Sequence, residues 1–574
     1  MDEVKKEEKK MDRRKYIKYV GAGAVVAAAA AAIGYGVSEL TRPPPPKPTT
    51  VVQTVLKTET LPGTTIVRTI PTTMVTTVPT VTTVTTAPPV TTPGTVSERA
   101  VFGARRLVET GAIPKGTRLK LLHVAGSRAQ LVPFIKEWEE KTGIGIDLVT
   151  VGVEGDIFTK LMAEATAKTG AYDIATVFST WMGDLVEAGI AKPLDEYYAK
   201  YDPIGPPEVA PIEPLGSYTT MYKGKRYALD ADADVYTLTY RKDLLEDPTY
   251  KEEFKSKYGY DLKVPDTWEE TIDIAKFFYE KNLKAPDGER VYGAFFYAEP
   301  LFAGYTTWWT IFTSKGGILF SPKNMKSMVN TPEGIEALDI MVRLTPYMHP
   351  EAVTGTWASM YQRYSEGKAV LAMAWPSLIK WAQDPTSSRI VGKSGAALPP
   401  GSYVTVKGEK KLIKACVNPV NWVGIVSNYS KYPEAGFLFL QYWTSPEIGY
   451  QVVAIPGIMD AYRRNWFEPG SKERAVMDLA YTSQFVDVFK EAIAHSFPDL
   501  MLPGAYTFLD VLNKNINAVC AGVKKTKDAL DETAAAWEEI TDRLGRDKLL
   551  AGWKETVKLY PADVQEVWKE KGYI

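Results

Sequence analysis

The chain is poor in the residues that build metal and redox centres: its 574 residues hold two cysteines and three histidines. Cys416 and Cys520 fit neither a zinc motif nor a dense disulfide framework, which leaves one bridge possible and favours two isolated buried thiols. His123, His349 and His495 are widely spaced, and none has a neighbouring ligand at a metal-binding interval. They read as structural, and no metal or other cofactor is expected. An excess of one charge is missing too. With 68 Lys and Arg against 69 Asp and Glu the formal net charge is −1, which gives no electrostatic reason to expect nucleic acid.

Several loop motifs fail at defining positions. Gly392-Lys393-Ser394 echoes the end of a phosphate-binding loop, but Ser387 stands where the leading glycine is required, so the chain is not itself an ATPase. Asp230, Asp232 and Asp234 alternate like the start of a calcium loop. However, Val235 replaces the glycine of the sixth position and Arg241 the glutamate of the twelfth. There is no G-x-S-x-G nucleophile elbow and no internal repeat of fixed period.

What is abundant sits first at the N-terminal end. From Arg42 to Val96 the chain opens with Pro43 to Pro46 and then repeats Thr, Val and Pro almost without charge. Proline removes donors and favours extended backbone, so this reads as a disordered stalk or plain linker. Its roughly 55 residues reach ~170 Å at about 3.1 Å per residue. Its composition also matches O-glycosylated stalks. Before it, residues 1–19 are charged and close with Arg13, Arg14, Lys15, Tyr16, Ile17 and Lys18; Val20 to Val37 is then uncharged and apolar. That order is a signal's, and the arginine pair resembles a twin-arginine export signal. With no convincing small-x-small cleavage site, an uncleaved membrane-anchor helix over 20–40 is favoured over a removed signal, with the N-terminus cytoplasmic and the rest outside.

Beyond the stalk, 45% hydrophobic content and about 450 residues imply a large core split into two lobes. Leu119 to Val124, an amphipathic helix from Gln130 to Lys141, and Ile144 to Val151 form a β-α-β unit. The alternation recurs through Asp173 to Phe178, a helix near Met182 to Ala188, and Val235 to Tyr240, which points to an α/β architecture. Thr267 and Thr331 mark helix starts.

The order of short motifs carries a resemblance. Phe134, Trp138 and Glu139 before Thr142-Gly143-Ile144 open the series, and Tyr172-Asp173-Ile174 through Leu185, Gly189, Pro193 and Leu194 continue it. Gly224 to Leu229 then leads to Tyr240-Arg241-Lys242-Asp243-Leu244, and Glu366 to Ala369 to Trp375. Ala397-Leu398-Pro399 and Pro433-Glu434-Ala435 before Phe439 complete it. From about Leu119 to Leu544 the chain resembles the extracellular solute-binding proteins of ABC importers that capture sugars, the maltose-binding-protein-like family. It departs from the pattern at Asp230, where that family often has proline, and over 202–218 and from Ala505 onward.

The resemblance implies a two-lobed periplasmic-binding-protein-like fold with three hinge crossovers. Lobe 1 maps to 118–233 with 396–455, lobe 2 to 234–395 with 456–574, and a stalk and linker to 41–117. It also implies a monomer on the extracellular face of the membrane that delivers carbohydrate to ABC permease subunits served by a separate ATPase. A sugar site needs aromatic platforms and planar polar groups. By position, Ser127 and Arg128 fall in the first strand-to-helix turn, Thr180 and Trp181 after the second-unit strand, and Asp234 at a crossover. Tyr305 and Trp308 follow Glu299-Pro300, Trp375 ends a strand, and Tyr506 sits in a poorly aligned loop. Trp268, Trp443 and Trp553 read as core. Asn428-Tyr429-Ser430 is the one standard N-glycosylation acceptor beyond the stalk. A tethered enzyme acting on polysaccharide is the alternative, since glycosidase clefts are also aromatic-rich.

Overall fold

The computed structural model describes residues 54–61, 64–71, 94–301 and 303–574. Segments 1–19 and 20–40 lie outside the described residues; among those described, no helix is long and apolar enough to cross a membrane. Inside the expected stalk, β1 (Thr54–Leu61) and β2 (Thr64–Pro71) pair antiparallel, from Thr54 opposite Pro71 to Leu61 opposite Thr64. The expectation of unpaired chain fails here for a local reason. Among these residues only the last, Pro71, is proline, so the ladder donors are intact, while Thr, Val and Ile favour extended pairing.

The linker also ends earlier than 117. Val96–Glu109 is a helix with a capping box: the Glu98 N–H donates to Thr95 Oγ1 (3.2 Å) and the Thr95 N–H to the Glu98 carboxylate (3.1 Å). Val96, Ala100, Gly103 and Ala104 are buried, and the helix packs on Pro433–Trp443. Contact is close at Gly103, where a Cβ would lie 2.8 Å from Tyr201 Cε1 and 3.1 Å from Leu438 Cδ2. Gln441 Nε2 donates to the Val96 carbonyl (3.1 Å). Residues 96–109 therefore belong to the folded body.

β3 (Arg118–Val124), β4 (Gly145–Val151) and β5 (Ile174–Phe178) are parallel, joined by helices Val132–Thr142 and Glu154–Ala167. The first of these helices starts two residues after Gln130, because Ala125–Gln130 is a 3-10 turn and a proline occupies its opening turn. Gly143 ends it at φ 73°, a left-handed cap that suits glycine. After β6 (Ala228–Asp230) the chain crosses to a second sheet of β7 (Thr237–Arg241), β8 (Tyr292–Phe296), β9 (Ala369–Ala374) and β10 (Ser394–Ala397). It returns through β11 (Cys416–Asn418) to β12 (Trp422–Val426) in the first sheet. A third passage runs from helix Pro446–Ala454 to helix Ser483–Ala494, which packs on β10 and β7, and β13 (Ser496–Pro498) then pairs with β11. The strand orders are β4-β3-β5-β12-β6 and β8-β9-β7-β10. β9 and β12 are buried at every residue, as central strands covered on both faces must be.

The C-terminal helices pack on helices Gly304–Ser314 and Pro332–Leu344 and are tied down through tryptophans. The indole N–H groups of Trp537, Trp553 and Trp568 donate to the carbonyls of Phe508 (2.8 Å), Phe320 (2.7 Å) and Gly317 (3.1 Å). Trp268 and Trp443 are likewise core residues, bonded to Ser314 Oγ (3.3 Å) and the Gln130 carbonyl (3.4 Å). Cys416 and Cys520 are free, buried thiols. Asn428 is exposed, with its Nδ2 donating to the carbonyls of Gly189 (3.0 Å) and Ala191 (3.2 Å).

Candidate functional site

The ends of β5, β9 and β12 meet the first crossover at a cleft between the two sheets. Strand ends of an α/β sheet leave such a crevice because the chain turns away there in both directions. Phe178 ends β5, Trp422 begins β12, and their rings meet edge to face at 4.5 Å. Together with Glu154, Asp234, Trp357, Tyr361 and Trp375 they line about 320 Å³ of empty space. A second space of about 360 Å³ is lined by Thr180, Trp181, Leu301, Tyr305, Tyr506 and Asp510. Phe178 and Val420 border both, so the two are halves of one cleft. Val420 sits at φ 54°, a strained conformation for a β-branched residue, with its N–H donating to Asp499 Oδ2 (3.1 Å).

Five of the predicted residues come together here besides Trp375. Asp234 lies at the crossover, 3% exposed, and its backbone N–H donates to Asn421 Oδ1 (2.9 Å). Thr180 Oγ1 donates to the Leu500 carbonyl (2.7 Å), and Trp181 packs against Phe178 with ring centroids 4.5 Å apart. Tyr305 donates through its hydroxyl to Asp499 Oδ2 (2.7 Å). Tyr506, 40% exposed, stacks on Phe158 at 5.5 Å. Trp375 itself is only 6% exposed: its N–H donates to the Pro419 carbonyl (3.3 Å), and Tyr236 meets it edge on at 5.1 Å.

Three predicted residues lie elsewhere. Trp308 is a core residue, fully buried, bonded to the Gly334 carbonyl (3.0 Å) and stacked on Phe312 at 4.5 Å. It faces inward because Gly304–Ser314 is buried at every position, so ring chemistry alone did not discriminate. Ser127 is buried and bonded to His123, whose other ring nitrogen meets Thr176 Oγ1; burial holds that imidazole down at about 3, and therefore neutral. Arg128 is exposed and borders neither half of the cleft. Sequence reasoning missed Glu154, Phe178, Trp357, Tyr361, Val420 and Trp422. Phe178, Trp422 and Glu154 each stand at the first or last position of an element, which was the available signal.

Behind Asp234 lies a buried carboxylate group. Asp232, Asp234 and Asp460 bring ligand atoms within 4.8 Å of one another, a geometry that would hold a cation. Lys380 already supplies one: its Nζ is 3.2 Å from Asp460 Oδ1 and donates to the carbonyls of Val453 (3.1 Å) and Met459 (2.6 Å). Burial and mutual repulsion push the Asp232 and Asp234 carboxyls well above the usual carboxylate range. A larger groove of about 1040 Å³, bordered by Tyr218, Tyr222, Met501, Lys548 and Gly552, lies apart from this chemistry.

Residues 125–450 match the family described as bacterial extracellular solute-binding protein. The chain belongs to this family. The match bears out the resemblance carried by the motif order. The maltotriose-binding protein of Pyrococcus abyssi is 26% identical over 205 residues, which span 36% of this solute-binding protein and 37% of that one. Among solved structures, the ABC transporter solute-binding protein of Agrobacterium radiobacter K84 in complex with ribitol superposes with a TM-score of 0.60 at 22% identity, covering 74% of this chain and 99% of that one. Maltose-bound MalE3 of T. maritima gives 0.59 at 18% identity, covering 74% and 100%. These likenesses establish the mixed α/β fold of two-lobed binding proteins for this solute-binding protein.

Proposed function

We propose that the protein is the extracytoplasmic substrate-binding subunit of an ABC transporter, which captures a sugar, favoured as an oligosaccharide, between two lobes and delivers it to the permease. The observation that carries this reading is the cleft itself, where rings from both sheets converge on Asp234 at the crossover. Aromatic faces stack on the C–H faces of a saccharide while carboxylates accept from its hydroxyls. The family and the named ligands of the similar proteins support it. In this reading lobe 1 is 118–233 with 396–455, joined by the helix at 96–109, and lobe 2 is 234–395 with 456–574. The segment 20–40 tethers the protein as a monomer on the outer face of the membrane, through the Thr/Pro-rich stretch that follows it.

The reading is one of binding, not turnover. Incubation of the protein with maltose, maltotriose, ribitol and longer oligosaccharides tests it: saturable calorimetric binding without release of new reducing ends is expected. Accumulating reducing ends would make the protein an enzyme acting on polysaccharide, and the absence of both would remove the sugar.

A further inference from the structure

The cleft accepts hydrogen bonds far better than it donates them. Glu154 and Asp234 are carboxylates bordering the space that Trp357, Tyr361, Trp375 and Trp422 enclose, and no lysine or arginine is among the described residues lining it. The donors there whose partners are seen are already engaged. The Trp375 indole is on the Pro419 carbonyl (3.3 Å), Tyr361 and Ser377 share a hydrogen bond (2.7 Å), and Trp357 serves Glu154. Among the described residues neither Glu154 nor Asp234 forms an ion pair with a basic side chain.

The charge behind the cleft is also unbalanced. Three buried carboxylates share one lysine, and Lys380 is spent on Asp460, which further accepts from the Tyr481 hydroxyl (2.7 Å) and the Ser377 N–H (2.9 Å). Asp232 is wholly buried, and its Oδ2 accepts from no N–H or hydroxyl among the described residues and lies against the Asp234 carboxyl. Buried carboxylates without a cation either retain protons or draw in a positive charge. Aromatic rings add to that attraction, since a cation over an indole or phenol face is favoured most where water is excluded.

We propose that the solute presents a protonated amine to Asp234 and Glu154 within the ring of Trp357, Tyr361, Trp375 and Trp422, which makes it an amino sugar or an amine-bearing polyol. This rests on the reading of the cleft as a sugar site and narrows it. An ammonium group brings three donors and no acceptor, which matches a lining of acceptors whose donors are taken. Burial and the neighbouring Asp232 hold the Asp234 carboxyl well above the usual range, and an ammonium ion is the charge that lets it ionise, whereas a uronate or a sugar phosphate is not.

Matched ligands test this on the full-length protein. Glucosamine, N-acetylglucosamine and glucose, their β-1,4-linked dimers to tetramers, and 1-amino-1-deoxysorbitol beside sorbitol differ within each set only at the amine. Calorimetric titration is expected to show the amine member at least 10-fold tighter than its acetylated and hydroxyl counterparts. Asp234→Asn should erase that preference, and Glu154→Gln, at the first turn of its helix, should reduce it, with a melting curve to establish that each variant is folded. Neutral members binding as tightly as the amines would overturn the amine and leave the sugar reading standing. Binding by no member would overturn the amine, and the sugar reading falls with it only if maltose, maltotriose and ribitol also fail to bind.

Discussion

Trp375 and Trp308 are both candidates by sequence position, and replacing each by alanine separates a ligand platform from a core residue. Trp308 is fully buried, with its indole on the Gly334 carbonyl and its ring stacked on Phe312 at 4.5 Å. Trp308→Ala therefore loses about 3 to 5 kcal/mol of stability, the range for emptying a tryptophan site, with the solute Kd changed less than about 3-fold. Trp375 borders the cleft but is 6% exposed and packed on Tyr236 and Tyr297. A residue at a strand end that faces only a ligand crevice would spare stability when removed. The packing corrects this: Trp375→Ala costs stability of the same order, about 3 kcal/mol, because two ring partners lose contact. It costs affinity as well. At 6% exposure a tryptophan of ~250 Å² offers a solute only ~15 Å² of apolar contact, roughly 0.4 kcal/mol at ~25 cal/mol per Å², and aromatic ring geometry adds about 1 kcal/mol, so Kd should rise about 10-fold. Titration calorimetry beside denaturant unfolding reads both quantities for both variants. Equal loss of stability with an unchanged Kd for Trp375→Ala would refute the placement of the site.

Two further outcomes follow from burial. Asp230 and Asp499 are buried and desolvation raises each to about 6 from 3.8, so protonation favours the folded state. Their contribution is complete below pH ~4 and is lost as pH rises through ~6, at about 3 kcal/mol each, while buried Asp232 and Asp234 act in the same direction. Unfolding free energies at pH 4 to 8 should fall mainly between pH ~4 and ~6, the interval between the unfolded and folded values, and Asp499→Asn should flatten the slope; stability rising with pH there would contradict the assignment. Chains beginning at residue 94 and at residue 118 should differ by about 3 kcal/mol, because the second lacks the buried Val96, Ala100 and Ala104. Equal melting temperatures would mean that the helix at 96–109 adds nothing.

Much of the fold was legible because its strands obey simple periodicity. The runs at 119–124, 144–151 and 173–178 became β3, β4 and β5 within a residue or two; β5, buried at every residue, reads as a continuous apolar run, while the edge strand β4 is exposed at Asp147 and Thr150. The helix at 96–109 was hidden by its neighbourhood. It follows a Thr/Pro-rich tract, and its buried face is made largely of the small residues Ala100, Gly103 and Ala104, which give a weak apolar signal in sequence. The site was legible where a residue type coincided with a strand end, as at Trp375 and Trp181, with the crossover at Asp234, or with the start of a helix, as at Tyr305 and Tyr506. Trp308 failed because a helix buried on all sides gives no sequence cue to which ring faces a cleft. Asp232 and Asp460 are partners across hundreds of residues, a contact that no local pattern encodes.

Hydrogen exchange on the full-length protein, with and without a solute that raises its melting temperature, tests the location of the site most directly. The account predicts protection concentrated in the amides around 153–158, 178–182, 355–361, 374–378 and 419–422, the segments that border the cleft. Protection confined to 218–223 and 548–556, along the larger groove, would contradict it.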